Sequence, residues 1–167
     1  MGAVHPSLTV HTRDPTITRR HGGSLDYTIE DWPGYSVLAI TGPMNQIPRL
    51  WQQVTRDLAA GRLKPSREAA LIGTSRGVPP AMAYLAGVIA VPGTTCEGYD
   101  RIEIPRGRYA VAHMRGLFTN VPAEFNTLAE TLKAARCRID GFGVEVYYGD
   151  PDGPDARYDL CFRVSEP

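Results

Sequence analysis

The sequence is similar to itself at one shift, and this internal repeat limits what the chain can fold into more than any other feature. YSVLAITG from Tyr35 is similar to YAVAHMRG from Tyr109, a shift of 74 residues, the difference between 109 and 35. The same shift aligns residues of matching type: Gly42 with Gly116, Pro48 with Pro122, Trp51 with Phe125, Val54 with Leu128, Leu58 with Leu132 and Tyr84 with Tyr158. We therefore predict two copies of one structural unit.

Each copy is predicted to contain one amphipathic helix. Apolar residues recur at helical spacing after Pro48 and again after Pro122, and proline is favoured in the first turn of a helix. Short β-branched or aromatic segments precede and follow each helix, bounded by Gly, Pro and Asp clusters. The unit is therefore predicted as β-α-β-β. Its hairpin loops are expected at GTSRGVPP and YGDPDGPD, and residues 25–29 are expected to extend the opening strand of the first unit.

Two such units predict an α+β domain with pseudo-twofold symmetry. The two β-α-β-β modules are expected to form an antiparallel sheet, with the helices covering part of it and a ligand cleft between the halves. We expect the domain at residues 25–167, with module one at about 25–92 and module two at about 99–166. Residues 1–24 show no hydrophobic periodicity and are expected to form a loose N-terminal arm.

Composition and charge exclude several classes of function. Eighteen basic residues balance eighteen acidic ones, so no global field attracts nucleic acid or an anionic membrane. No apolar run reaches the roughly 20 residues that a membrane span needs. Cys96, Cys137 and Cys161 are odd in number and far apart, which predicts neither a disulfide framework nor a zinc site and fits a reducing cytoplasm. We find no cofactor motif and no metal-ligand cluster.

The strand GVEVYYGD carries a carboxylate, Glu145, in the middle of an apolar run. Alternation places Val144 and Val146 on one face and Glu145 with Tyr147 on the other. From alternation alone, the valine face packs under the second helix and the Glu145 face meets water. The hairpin with the following strand leaves the alternative that both faces are covered.

Three stretches carry a resemblance to a known family. IEIPRGRYAVAHMRG, then FGVEVYYGDPD after the second helix, then YDLCFRV resemble the GyrI-like effector-binding domain, over roughly residues 25 to 166. The resemblance implies two β-α-β-β modules of the SHS2 type around an aromatic cleft, with a glutamate that faces cationic, lipophilic compounds. It makes that glutamate Glu145 and the strand tyrosines Tyr147 and Tyr84. A cation entering such a cleft would restore the charged carboxylate and stack on aromatic rings.

Further candidates for the cleft wall each have an ordinary structural alternative. Trp51 lies on the apolar stripe of the first helix, where a Trp also serves as plain core. Tyr109 and His113 share a strand face, although a structural His is as common in such a place. Phe118 precedes the second helix and serves either as a lid residue or as a hydrophobic staple.

GTSRG, residues 73–77, matches the G-x-S-x-G nucleophile elbow, which requires a strand before the serine and a helix after it. Here Val78, Pro79 and Pro80 follow, and then another strand, so the match is accidental. Ser75 is expected to lie in a hairpin loop.

Three functions follow from the family resemblance. The first is binding of lipophilic, often cationic, small molecules. The second is hydrolysis of cyclopropane-containing DNA-alkylating natural products, with Glu145 as general base and Tyr147 or Tyr84 as the hydrogen-bond donor. The third is inhibition of DNA gyrase. The arm of 1–24 is too short for a helix-turn-helix, so we expect a small-molecule partner and no direct DNA contact.

Overall fold

The strands and helices of the computed structural model follow the repeat. The structure describes residues 23–66, 71–116, 118–148 and 156–165. Within them the elements are β1 (Thr28–Trp32), β2 (Tyr35–Pro43), α1 (Ile47–Ala59), β3 (Leu71–Arg76), β4 (Ala83–Ile89), β5 (Asp100–Ile104), β6 (Gly107–Arg115), α2 (Val121–Ala134), β7 (Arg138–Tyr148) and β8 (Arg157–Ser165). The fold is α+β, as predicted. Most of the predicted arm, residues 1–22, and most of the YGDPDGPD loop lie outside the described residues.

The eight described strands form one antiparallel, curled sheet in the order β1-β6-β8-β7-β3-β4-β2-β5. The order is symmetric about its middle: β6, β8 and β7 of one half correspond to β2, β4 and β3 of the other half. The two halves meet at the pair β3–β7, where Gly73 lies opposite Glu145. The pseudo-twofold axis therefore passes through the middle of the sheet.

Corresponding residues of the two copies occupy corresponding places. Trp51 and Phe125 are each the fifth residue of their helix, and Tyr84 and Tyr158 are each the second residue of their strand. The shift of 74 does not hold in β3 and β7. Tyr84 pairs with Ser75, whereas Tyr158 pairs with Tyr147, so the shift there is the difference between 147 and 75, which is 72.

The edge strands are exchanged between the halves. β1 pairs with β6 of the second copy, and β5 pairs with β2 of the first. The prediction that residues 25–29 extend the opening strand of the first unit is therefore wrong. Trp32 at the end of β1 stacks on Tyr109 of β6, with ring centroids 4.2 Å apart, and the Leu25 N–H donates to Thr131 of α2. These contacts hold the segment against the second half.

Each face of the sheet carries its own hydrophobic core. Helix α1 packs mainly on β2 and β4, and α2 packs on β7 and β8. The helix-side core contains Trp51, Val54, Tyr84, Leu128 and Tyr147 among others. The core on the opposite face is formed by the strands of the curled sheet. It contains Val37, Ile72, Tyr109, Val144 and Val146 among others.

No helix in the described part of the chain has the length and apolar character to span a membrane.

The GTSRG segment lies mostly in a strand. Ser75 belongs to β3 and pairs with Tyr84, so its expected place in a hairpin loop is wrong; the loop begins at Gly77. Strand β4, not a helix, follows the loop, so this serine does not form a nucleophile elbow.

Candidate functional site

Glu145 lies at the centre of the sheet, on the face that the helices cover. Its strand neighbour Tyr147 belongs to the helix-side core, while Val144 and Val146 belong to the core of the opposite face. Alternation alone placed Glu145 in water and the valines under α2, and this interpretation is wrong. Both faces of β7 are covered at this point, as the hairpin alternative allowed.

Two tyrosines bind the carboxylate of Glu145 through the same oxygen. Tyr84 Oη donates to Glu145 Oε2 at 2.6 Å, and Tyr147 Oη donates to the same atom at 2.7 Å. Trp51 Nε1–H in turn donates to Tyr84 Oη at 3.2 Å. Four of the predicted site residues thus form one hydrogen-bonded cluster, and among the described residues no hydrogen bond reaches Glu145 Oε1.

The surroundings of Glu145 disfavour its charge. Burial raises the pKa of Glu145 above its ordinary value, and the hydrogen bonds from Tyr84 and Tyr147 offset part of this effect. The pKa values of Tyr84 and Tyr147 are raised, first by burial and then by the Glu145 carboxylate. Both tyrosines therefore keep their protons and act as hydrogen-bond donors. The Trp51 ring lies edge-on to Tyr147, with centroids 5.4 Å apart, and completes an aromatic wall.

Gly73 is part of this site, and sequence analysis did not single it out. A Cβ at residue 73 would overlap the Tyr84 hydroxyl and lie 2.6 Å from Glu145 Oε2. The missing side chain leaves the space in which Tyr84 reaches Glu145. The sequence offered no signal, because Gly73 sits inside GTSRG and its partner on β7 is set by tertiary structure.

A buried carboxylate near this site, Glu124 of α2, was also missed. Tyr158 Oη donates to Glu124 Oε2 at 2.6 Å, and the Tyr158 ring lies 5.8 Å from that of Tyr147, centroid to centroid. Glu124 does carry a sequence signal, because it falls on the apolar stripe of α2 between Val121 and Leu128.

The remaining candidates lie elsewhere. Tyr109 is in the core of the opposite face and donates its hydroxyl to the Pro105 carbonyl. His113 binds Asp159 through Nδ1 at 2.7 Å, and this bond is the main cause of its raised pKa. The structure does not bring either residue together with Glu145. Phe118 begins a short 3₁₀ turn before α2, and its side chain lies outside the described part.

The described residues contain no group of three or more His, Cys, Asp or Glu side chains placed to hold a metal ion. The chemistry that the cluster offers is that of a carboxylate among aromatic rings and phenolic hydroxyls.

A duplicated α+β unit with a carboxylate and tyrosines between its halves defines a small-molecule binding domain. The model of one such family, the GyrI-like small molecule binding domain, matches residues 25–165. The chain belongs to this family. Comparison with the curated proteins gives no match.

Solved structures share the fold at low sequence identity. SAV2435 bound to tetraphenylphosphonium is 16% identical with a TM-score of 0.67, and the alignment covers 84% of this chain and 94% of that one. The EcmrR C-terminal domain is 10% identical with a TM-score of 0.64, over 85% of this chain and 98% of that one. A hydrolase from Listeria innocua is 13% identical with a TM-score of 0.61, over 84% and 92% of the two chains.

Proposed function

We propose that this protein binds lipophilic, aromatic cations beside Glu145, on the face of the sheet on which α1 and α2 pack, with Glu145 as the counter-charge. The observation that carries the proposal is the Glu145 carboxylate, which lies on the helix-covered face with two tyrosine hydroxyls on one oxygen. No cation pairs with Glu145 among the described residues. Such a carboxylate costs free energy when charged, and a bound cation removes that cost.

The aromatic residues add the selectivity for flat or lipophilic cations. Trp51, Tyr84 and Tyr147 present rings around the carboxylate, and a cation over such a ring contributes roughly 0.5 to 2 kcal/mol. SAV2435, which shares the fold, binds tetraphenylphosphonium, a cation of this chemical class. We accordingly choose tetraphenylphosphonium as the first probe.

Titration calorimetry with tetraphenylphosphonium and with neutral triphenylphosphine oxide tests the proposal. Replacing Glu145 by Gln keeps the shape and removes the charge, so the affinity for the cation is expected to fall about tenfold or more, while that for the neutral compound stays within about twofold. The matched control is Glu103→Gln, which removes the charge of an exposed glutamate on β5. Equal affinity of wild type and Glu145→Gln for the cation would refute the proposal.

Oε1 of Glu145 accepts no hydrogen bond from the part of the chain that the structure describes, and this favours a second candidate function, hydrolysis of a cyclopropane-containing alkylating compound. In this proposal Oε1 takes a proton from a water that attacks the cyclopropane carbon. The carbon–carbon bond breaks, and its electron pair moves to the oxygen of the conjugated carbonyl. This oxygen becomes a phenol when it takes the proton of Tyr147 or Tyr84, and the proton that Glu145 took from the water passes to that tyrosine in turn, so the tyrosine ends the step protonated. The raised pKa of Glu145 suits a general base. A protein with the same fold is a hydrolase from Listeria innocua.

Mass spectrometry of a spirocyclopropane substrate incubated with the protein separates the two functions. A hydrolase forms the ring-opened, water-added product, and Glu145→Gln is expected to lower the rate by about 10²- to 10⁴-fold while the neutral substrate still binds. Saturable binding without product would reject hydrolysis for that compound. No surface among the described residues favours the gyrase-binding alternative.

A further inference from the structure

The two halves differ on the sheet surface next to Glu145. At the shift of 72 that relates β3 to β7, Leu71 corresponds to Gly143. At the shift of 74 that relates β4 to β8, Val88 corresponds to Phe162. Leu71 and Val88 are buried, whereas the two residues of the second half are partly exposed. The second half therefore lacks a large side chain here and has an aromatic ring beside the gap.

Glu145 is partly exposed, and its neighbours on the helix-side face indicate from which side. On one side lie Leu71 and Tyr147, a cross-strand pair in which both side chains are buried. On the other side lie Ser75 of β3 and Gly143 of β7, which are small and partly exposed. Among these described residues, the site is therefore closed at Tyr147 and open at Gly143.

The ring of Phe125, from α2, lies at this open side. A Cβ at residue 143 would lie 2.6 Å from Phe125 Cε1, so the ring rests directly on the backbone of Gly143. Phe162, the cross-strand partner of Gly143, packs edge-on against the Phe125 ring, with centroids 5.3 Å apart. A strand rises about 3.3 Å per residue, so Glu145 follows Gly143 at about 7 Å on the same face. A ligand of the size of one or two aromatic rings beside Glu145 thus reaches Phe125.

The rings closest to the carboxylate are less accessible than Phe125. Trp51, Tyr84 and Tyr147 are only 2% to 6% exposed, and their polar groups are bound to one another or to Glu145. Phe125 is partly exposed and has no polar group to satisfy, so its ring exchanges water for a ligand ring at little cost. The ring that a ligand meets at the open side is therefore that of Phe125.

We propose that Phe125 is a specificity-determining residue of this site, whose ring contacts the ligand and selects aromatic cations over aliphatic cations of the same charge. This inference rests on the proposed function, because it takes Glu145 as the counter-charge. Both kinds of cation satisfy the carboxylate, but only an aromatic ligand makes offset or edge-to-face contacts with a ring.

Titration calorimetry on the full chain tests this with two cations that carry the same charge on phosphorus. One is tetraphenylphosphonium, which is aromatic, and the other is tetrabutylphosphonium, which is aliphatic. Phe125→Leu keeps an apolar side chain and removes the ring. It is expected to lower the affinity for tetraphenylphosphonium about fivefold or more and to leave that for tetrabutylphosphonium within about twofold.

Two further variants serve as controls. Phe125→Tyr keeps the ring and is expected to keep the ratio of the two affinities within about twofold. Phe142→Leu removes an exposed phenylalanine that precedes Gly143 in β7, and it is expected to change neither affinity. A ratio that Phe125→Leu leaves unchanged, or that Phe125→Tyr or Phe142→Leu lowers as much, overturns the inference.

A crystal structure of the wild type with tetraphenylphosphonium gives a test that does not depend on the folding of any variant. The expected result is a phenyl ring of the ligand against Phe125, next to Gly143. A ligand bound at Glu145 without contact to Phe125 overturns the inference.

Failure of the proposed function gives a different result. In that case Glu145→Gln leaves the affinities for both cations unchanged. A similar fall in both affinities with Glu145→Gln, together with an unchanged ratio with Phe125→Leu, keeps the proposed function and rejects the role of Phe125.

Discussion

A methyl group at residue 73 should act on the site through one atom, the Tyr84 hydroxyl oxygen. The Cβ of Gly73→Ala would overlap Tyr84 Oη and lie 2.6 Å from Glu145 Oε2. The Glu145 side-chain end can shift, but Tyr84 is 3% exposed and packed in the helix-side core. Overpacking of this kind costs about 1 to 3 kcal/mol, and loss of a hydrogen bond to a charged group costs about 1.5 to 3 kcal/mol. Because Tyr84 relieves the overlap by moving away from Glu145, the two costs are partly alternatives, and we expect the free energy of unfolding to fall by about 2 to 4 kcal/mol.

Urea unfolding of Gly73→Ala, Tyr84→Phe and the double variant measures the coupling. Tyr84→Phe removes the overlapping oxygen, so the nearest ring atom to the new Cβ is then Cζ at 3.0 Å. The cost of Gly73→Ala in this background is expected to be about 1 kcal/mol, which gives a coupling of about 1 to 3 kcal/mol. Additivity within about 0.5 kcal/mol would refute the role of the hydroxyl.

Gly143→Ala is the matched control for this cycle. Gly143 is also a strand glycine on the helix side, and a Cβ there would lie 2.6 Å from Phe125 Cε1. Its cost is expected to be the same in the wild type and in the Tyr84→Phe background, because the overlapping atoms belong to Phe125. A cost that depends on Tyr84 would indicate a general loosening of the core.

Three further predictions concern pH and hydrogen bonding. Burial raises the pKa of Glu145, so this carboxyl keeps its proton to a higher pH in the native protein than in the unfolded chain. Wild-type stability should therefore fall as the pH rises from the ordinary glutamate pKa through the raised pKa. Glu145→Gln should remove this fall and raise the neutral-pH Tm, and identical pH profiles would contradict this. Trp51→Phe should lower the free energy of unfolding in urea by about 1 kcal/mol, the cost of the lost hydrogen bond from Nε1–H to Tyr84. The Phe ring itself should be tolerated, because Phe125 occupies the corresponding position of α2. A cost above about 3 kcal/mol would indicate that the indole ring, and not its hydrogen bond, is the main contribution. The Asp159 hydrogen bond raises the pKa of His113, so its stabilisation is fully present below the ordinary histidine pKa and is lost as pH rises through the raised value. NMR titration should show the His113 pKa falling in Asp159→Asn, and an unchanged pKa would contradict this.

Most of the fold was predicted from the internal repeat. The helices begin close to Pro48 and Pro122, where the apolar spacing placed them, since helical periodicity is a local property. The exchange of β1 and β5 between the halves is not local. Strand β1 pairs with β6, and Trp32 stacks on Tyr109, which is far away in the sequence, so this pairing depends on tertiary contacts that no local pattern contains.

The site was predictable to the extent that its residues lie on one strand. Alternation correctly placed Glu145 and Tyr147 on the same face, but a period of two does not say which face the helices cover. Tyr84 and Trp51 were proposed from the family resemblance and from helical spacing, and the structure brings both to Glu145. Gly73 could not be recognised, because its role is to lack a side chain beside Tyr84 and Glu145, which belong to two other strands, β4 and β7.

Breaking the symmetry at the central strand pair is physically necessary for this site. Gly73 and Glu145 are symmetry-related positions that face each other across the pair β3–β7. A glutamate at both positions would set two like charges directly opposite on one face, which destabilises the sheet and raises the pKa of one carboxyl further. A glycine at both would leave Tyr84 and Tyr147 without a common acceptor. With a single carboxylate next to the axis, tyrosines from both halves share one oxygen of Glu145, and the other oxygen accepts no hydrogen bond from the described residues.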